Sequence, residues 1–130
     1  MLIAATNFSY AQLFFPSVVN FSSAKKEFID RSYSANLSSE YTGIVESTLA
    51  VVTMVKLDLP ADELPLLRAK IKDLVTSGTT PVIRYKAYLA GAVFSNPTMF
   101  QRESSRSYST PDEFFHALAE TLSQTLFSSR

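Results

Sequence analysis

The chain has 130 residues, 46% of them apolar and 18% charged, which fits one globular domain with a single core and argues against disorder. Twelve basic and twelve acidic side chains cancel and lie interspersed, so the net basic balance or basic stripe of a nucleic-acid binder is missing. Zero cysteines exclude disulfides, thiolate metal sites and cysteine nucleophiles, and no apolar run reaches the roughly 18 residues of a membrane span.

The first twelve residues resemble the back end of an export signal. Ser9 and Ala11 place small side chains where a signal peptidase accepts them, with Gln12 as the first residue after the cut and Leu2–Ala5 as the tail of the apolar stretch. No Lys or Arg precedes Lys25, and Thr6 and Asn7 interrupt the apolar run. One repair of the signal reading is an upstream start, with Met1 internal. The competing reading is an apolar N-terminal segment packed on the domain. A signal remnant over 1–11 implies an exported protein, periplasmic or secreted; without it the protein is cytoplasmic.

Residues 12–36 carry Leu13, Phe14, Phe15, Val18, Val19, Phe21, Phe28 and Ile29 in a spacing that fits neither a helix nor a strand. They are expected to form an irregular arm with one short helical turn near 24–30, lying across the helices that follow. The rest, 37–130, is expected to be a single all-α domain of about four helices.

The first helix is placed near 39–58, with Ser38 or Ser39 as its cap. Ile44, Val45, Thr48, Leu49, Val51, Val52 and Val55 recur at three and four. A strand competes over 48–59, where Leu49, Val51, Thr53, Val55, Leu57 and Leu59 alternate and β-branched residues abound. Length and the capped start favour the helix, which Pro60 ends.

The second helix is expected over 62–77. Asp62 is its cap, Pro65 lies in its first turn, and Leu64, Leu67, Ile71, Leu74 and Val75 form its apolar stripe. Gly78 is expected to stop it in the left-handed conformation. The third, 80–96, opens on Thr80 and Pro81 and carries the small residues Ala87, Ala90, Gly91 and Ala92, where a neighbour can approach closely. One further turn is expected over 97–103, with Met99 and Phe100 folding inward. A serine-rich, exposed and mobile link over 104–110 follows. Thr110, Pro111 and Glu113 then make a capping box for the last helix, 111–127.

Catalytic signals are sparse. His116 is the one histidine, without the further His or Cys partners that a metal site needs, and is expected to pair with Asp112 on the surface one turn away. There is no Gly-x-Ser-x-Gly elbow, and Gly43, Gly78 and Gly91 stand apart, so neither a serine-hydrolase turn nor a glycine-rich phosphate loop is formed. Asp58, Asp62, Glu63, Asp112 and Glu113 sit at helix ends, where capping accounts for them. No metal or other cofactor is expected, and the protein is not expected to be an enzyme.

Two clusters remain as binding candidates. Arg84, Tyr85, Lys86 and Tyr88 form a polar-aromatic group able to face a partner; the competing reading has the rings half-buried and the cations solvated. Phe94, Met99, Phe100, Phe114 and Phe115 could line an apolar pocket between helices, against a dry packed core.

Residues 62–96, a helical pair closed by Gly78, Thr79, Thr80 and Pro81 and followed by Val82, Ile83, Arg84 and small residues, are similar to a single unit of the HEAT type of α-helical repeat. The resemblance covers roughly a quarter of the chain and has no second copy at a period of about 40 residues. It implies a protein-binding surface. The reading is thus an exported helical protein acting through non-catalytic interaction with a protein partner or with itself, which the surplus of ten Phe and six Tyr also motivates. The alternative is a carrier or sensor of a small apolar ligand held between the helices.

Overall fold

A computed structural model describes residues 22–128 of the chain; the expected signal remnant lies outside them. The described residues form an all-α fold without strands. Six α-helices pack together: α1 (Ser23–Asn36), α2 (Thr42–Asp58), α3 (Pro65–Ser77), α4 (Pro81–Ser95), α5 (Gln101–Ser104) and α6 (Pro111–Ser128), with a 3-10 turn at Pro97–Phe100 leading into α5. The expected count of four is therefore too low.

The largest correction is α1. Where an irregular arm was expected up to residue 36, Ser23–Asn36 is a helix of four turns, started by Ser22, whose Oγ accepts from the Lys25 amide at 3.2 Å. Its inner face consists of Ile29, Asp30, Tyr33 and Leu37 at helical spacing. Phe28, which the sequence suggests as core, is 58% exposed. The helix hides its period because a buried carboxylate stands where an apolar residue would be expected.

Helix α2 resolves the helix-or-strand alternative. Residues 52–57 are buried without interruption, and since 3.6 residues complete a turn, the C-terminal part of this helix is enclosed on every side. A period-2 reading of Leu49 to Leu59 arises from that continuous apolar run. Thr53 tolerates burial by returning its hydroxyl to the Leu49 carbonyl at 2.6 Å. The helix begins at Thr42, later than expected, and Ser39 serves the chain before it by accepting from the Tyr41 amide at 3.0 Å.

Helix α3 starts at Pro65 and is not capped by Asp62. Leu64 adopts a left-handed conformation (φ 46°) just before it, at a cost of roughly 1–2 kcal/mol. Its side chain is 5% exposed, and burying a leucine contributes about 1.5–3 kcal/mol, so burial offsets the strain. The cap comes from α1: the Asp30 carboxylate accepts from the Leu66 amide at 3.1 Å and the Leu67 amide at 2.9 Å.

Helices α3 and α4 make the most extensive interface in the fold, and α2 packs on α4. Thr80 caps α4 as expected, accepting from the Ile83 amide at 3.1 Å. Gly78 between them does not adopt the left-handed conformation; its φ is −57°. Glycine is needed there for space. A Cβ at 78 would stand 2.8 Å from the Leu74 carbonyl oxygen and 2.9 Å from Ile83 Cγ2. Gly78→Ala is expected to lower stability by about 1–3 kcal/mol in urea unfolding. Gly43→Ala, where a Cβ meets nothing within 4 Å, is expected to raise it by about 0.5 kcal/mol.

The capping box of α6 forms across one residue more than expected. Thr110 Oγ1 accepts from the Glu113 amide at 3.2 Å, and Glu113 reaches back to the Ser109 amide at 2.9 Å. Phe100 is fully buried and Met99 packs against the core, as expected for the turn before α5.

Candidate functional site

Helix α4 carries the expected polar-aromatic cluster, and the fold disperses it. Arg84 donates to the Gly78 carbonyl at 2.7 Å, closing the α3–α4 turn. Lys86 points inward and is 7% exposed, which corrects the reading of it as a solvated surface cation. Its Nζ lies 2.9 Å from Glu46 of α2 and 2.7 Å from Asp112 of α6, and 5.5 Å from the centre of the Phe115 ring. One ammonium thus joins three helices. Burial alone would lower its pKa, but the hydrogen bonds and charges of Asp112 and Glu46 more than reverse that, so it ends above the usual lysine value.

Tyr85 and Tyr88 are what remains of the cluster at the surface, 53% and 50% exposed. With Val82, 49% exposed, they form an outward stripe at three-residue spacing along α4. Two grooves flank it. One, of about 260 Å³, lies toward α6 and is bounded by Tyr85, Tyr88, Ala119 and Leu122. The other, of about 500 Å³, lies toward α3 and is bounded by Arg68, Ile71, Val75, Tyr88, Gly91 and Phe94. Tyr88 belongs to both. The small residues of α4 accordingly divide: Ala87 and Ala90 are fully buried against neighbours, while Gly91 and Ala92 are half-buried and border the larger groove.

The five residues suggested as an apolar pocket do not share a cavity wall in this way. Phe100, Phe114 and Phe115 are packed in the core, with the Phe114 and Phe115 rings 5.7 Å apart. Only Phe94 of the five borders the larger groove.

Buried ionisable groups that sequence patterns did not reveal hold the domain together. Glu103 of α5 is fully buried and accepts from the Tyr108 hydroxyl at 3.0 Å and the Thr121 hydroxyl at 2.6 Å, with Arg102 and Arg106 at 3.7 and 3.6 Å. The 104–110 link is consequently anchored, not simply exposed: Tyr108 is 6% exposed and its ring centre lies 5.2 Å from that of Phe114. Lys56 of α2 is 3% exposed, donates to the Pro60 carbonyl at 3.1 Å and to the Asp62 carbonyl, and faces Phe94 at 5.7 Å. Burial, then repulsion from Arg68, lowers its pKa against the opposing pull of Asp62 and Glu63.

Burial, then the hydrogen bond and charge of Glu103, pushes the Tyr108 phenol up to about 12. Between pH 10 and 12 the folded protein holds a proton there that the unfolded chain has released, so this contribution to stability falls as pH rises through that window. In a spectrophotometric titration, Tyr108→Phe is expected to remove the absorbance step near pH 12. Persistence of that step in the variant would contradict the assignment.

His116 does not pair with Asp112. It lies 3.5 Å from Glu120 in the opposite direction along α6, at a 76% exposed position, and Asp112 is taken by Lys86. Among the described residues no group of three or more His, Cys, Asp or Glu side chains could hold a metal ion, and no helix is long and apolar enough to cross a membrane. No family model, curated protein or solved structure matches the chain.

Proposed function

We propose that the protein acts by non-catalytic binding of a protein, either a different chain or a second copy, through the outer face of α4. The exposed stripe Val82, Tyr85 and Tyr88 carries this reading. Large aromatic side chains provide much of the contact energy at interfaces and lose little conformational freedom on binding. The inward engagement of Lys86 and the turn-closing role of Arg84 supply a rigid base for the stripe. Export belongs to the same proposal and rests on Ser9, Ala11 and Gln12 of the sequence. Mass spectrometry of the protein from its source is expected to find a chain beginning at a cyclised Gln12.

A photo-crosslinking residue at position 88, introduced in the source cells, tests the binding face. A discrete covalent adduct is expected from position 88 and not from Thr76, an exposed position on α3. A protein that sediments as a monomer and yields no adduct at 88, or equal adducts from both positions, would count against the proposal.

A further inference from the structure

We infer that the groove between α3 and α4 binds an anionic amphiphile, a single acyl or alkyl chain bearing a carboxylate or similar head group. This site is separate from the protein-binding face proposed above, although Tyr88 borders both. The groove has a volume of about 500 Å³, within the range of small-molecule sites, which are mostly apolar with a few placed polar groups. Its apolar wall is Ile71 and Val75 from α3 and Ala92 and Phe94 from α4. Arg68 and Lys72 also border it, and no acidic residue does.

In a chain whose charges balance, the two cations are placed asymmetrically. They stand one turn apart on α3, on the same side of the helix. The Arg68 guanidinium is oriented: it donates to the Phe94 carbonyl at 2.9 Å and lies 5.9 Å from the centre of the Phe94 ring. Only part of its fork of donors is used by that bond. Lys72 is exposed and has no ion pair among the described residues. A negative head group would find both cations next to the apolar wall, which is the complementarity an amphiphile requires.

Gly91 adds a second, independent observation. Glycine is among the poorest residues in a helix interior, and the packing of α3 on α4 does not require one here. A Cβ at 91 would meet Ile71 Cγ2 at 3.8 Å, an ordinary contact. The contrast with Gly78, which has no room for a Cβ, is direct. What the missing side chain provides at 91 is depth in the groove and close access to the α4 backbone.

The test is a 15N NMR titration of the full chain with sodium dodecanoate and, separately, dodecyltrimethylammonium, both below their micelle concentrations. Dodecanoate is expected to shift the amides of Ile71, Val75, Gly91 and Ala92, and the cationic amphiphile to leave them in place. Lys72→Glu is expected to weaken dodecanoate binding about fivefold or more. Gly91→Leu is expected to abolish it by filling the groove. Should Gly91→Leu unfold by circular dichroism, Ala92→Phe fills the same groove from an adjacent position.

Equal shifts from both head groups, shifts scattered outside the groove, or binding unchanged in the folded groove-filling variants would overturn the inference. Two further outcomes would also overturn it. If dodecanoate binds only after residues 1–21 are removed, the chain itself occupies the groove. If the same amides move with protein concentration alone, a second copy does. Because Tyr88 borders the groove, the adduct at position 88 is read by its mass. A protein-sized adduct bears only on the protein-binding face and the dodecanoate titration only on the groove, so the two proposals fail separately.

Discussion

Replacing Glu103 by alanine is expected to lower the stability of the domain by about 3 kcal/mol in urea unfolding. The carboxylate is fully buried and is the acceptor for two buried hydroxyls, those of Tyr108 and Thr121. Its removal leaves both without a partner, at roughly 1–3 kcal/mol each, and opens a void. Arg102 and Arg106 are 61% and 52% exposed, so they regain water and add little to the loss. Glu103→Gln keeps the volume and an acceptor oxygen and is expected to lose only about 1 kcal/mol.

A stricter test separates hydrogen bonding from charge. Glu103→Met combined with Tyr108→Phe and Thr121→Val replaces the whole network by apolar groups of similar shape. Such replacement is often neutral or stabilising, so the triple variant is expected to recover most of the stability that Glu103→Ala loses. A triple variant no more stable than Glu103→Ala would show that the network contributes something besides satisfied hydroxyls.

Asp30→Ala is expected to lower stability by about 2–3 kcal/mol and to loosen two segments distant in sequence. Each carboxylate oxygen accepts one amide at the start of α3, from Leu66 and from Leu67. Hydrogen bonds to a charged group contribute about 1.5–3 kcal/mol, and a negative charge at a helix start is further favoured by the helix dipole. Without Asp30, two amides at that start lose their partner, and α1 loses its polar tie to α3. Hydrogen exchange is expected to accelerate over Ser23–Asn36 and in the first turn of Pro65–Ser77, while α6 keeps its protection. Asp30→Asn retains an acceptor and is expected to lose about half as much. Exchange that accelerates uniformly over all helices would mean that Asp30 is not a local cap.

These two residues illustrate what kind of information the linear chain withholds. Asp30 lies 36 positions before its first amide partner, and Glu103 lies 18 before Thr121. No local spacing rule connects them. Asp62, by contrast, has every local attribute of a helix cap, yet Leu64 turns left-handed after it and the helix starts at Pro65. The buried Leu64 side chain decides that geometry, and its burial is a property of the assembled core. The candidate binding cluster was legible in the same limited sense. Tyr85 and Tyr88 could be singled out as aromatic residues on one helix, but whether Lys86 joined them at the surface depended on Glu46 and Asp112, which α2 and α6 bring to it.

What the sequence determined by itself was therefore local: the all-α class, the helical state of Thr42–Asp58 despite its β-branched run, the Thr80 cap and the reciprocal capping of the last helix. Caps, proline positions and apolar periods act over three or four residues, and the same hydrogen bonds form wherever the helix finally lies. Only the tertiary structure decided that residues 23–36 are a helix, that Gly78 is there for want of space, and that Gly91 and Ala92 border a groove between α3 and α4. Burial, long-range pairing and concavity arise when separate elements meet, and none of them is encoded at a fixed spacing along the chain.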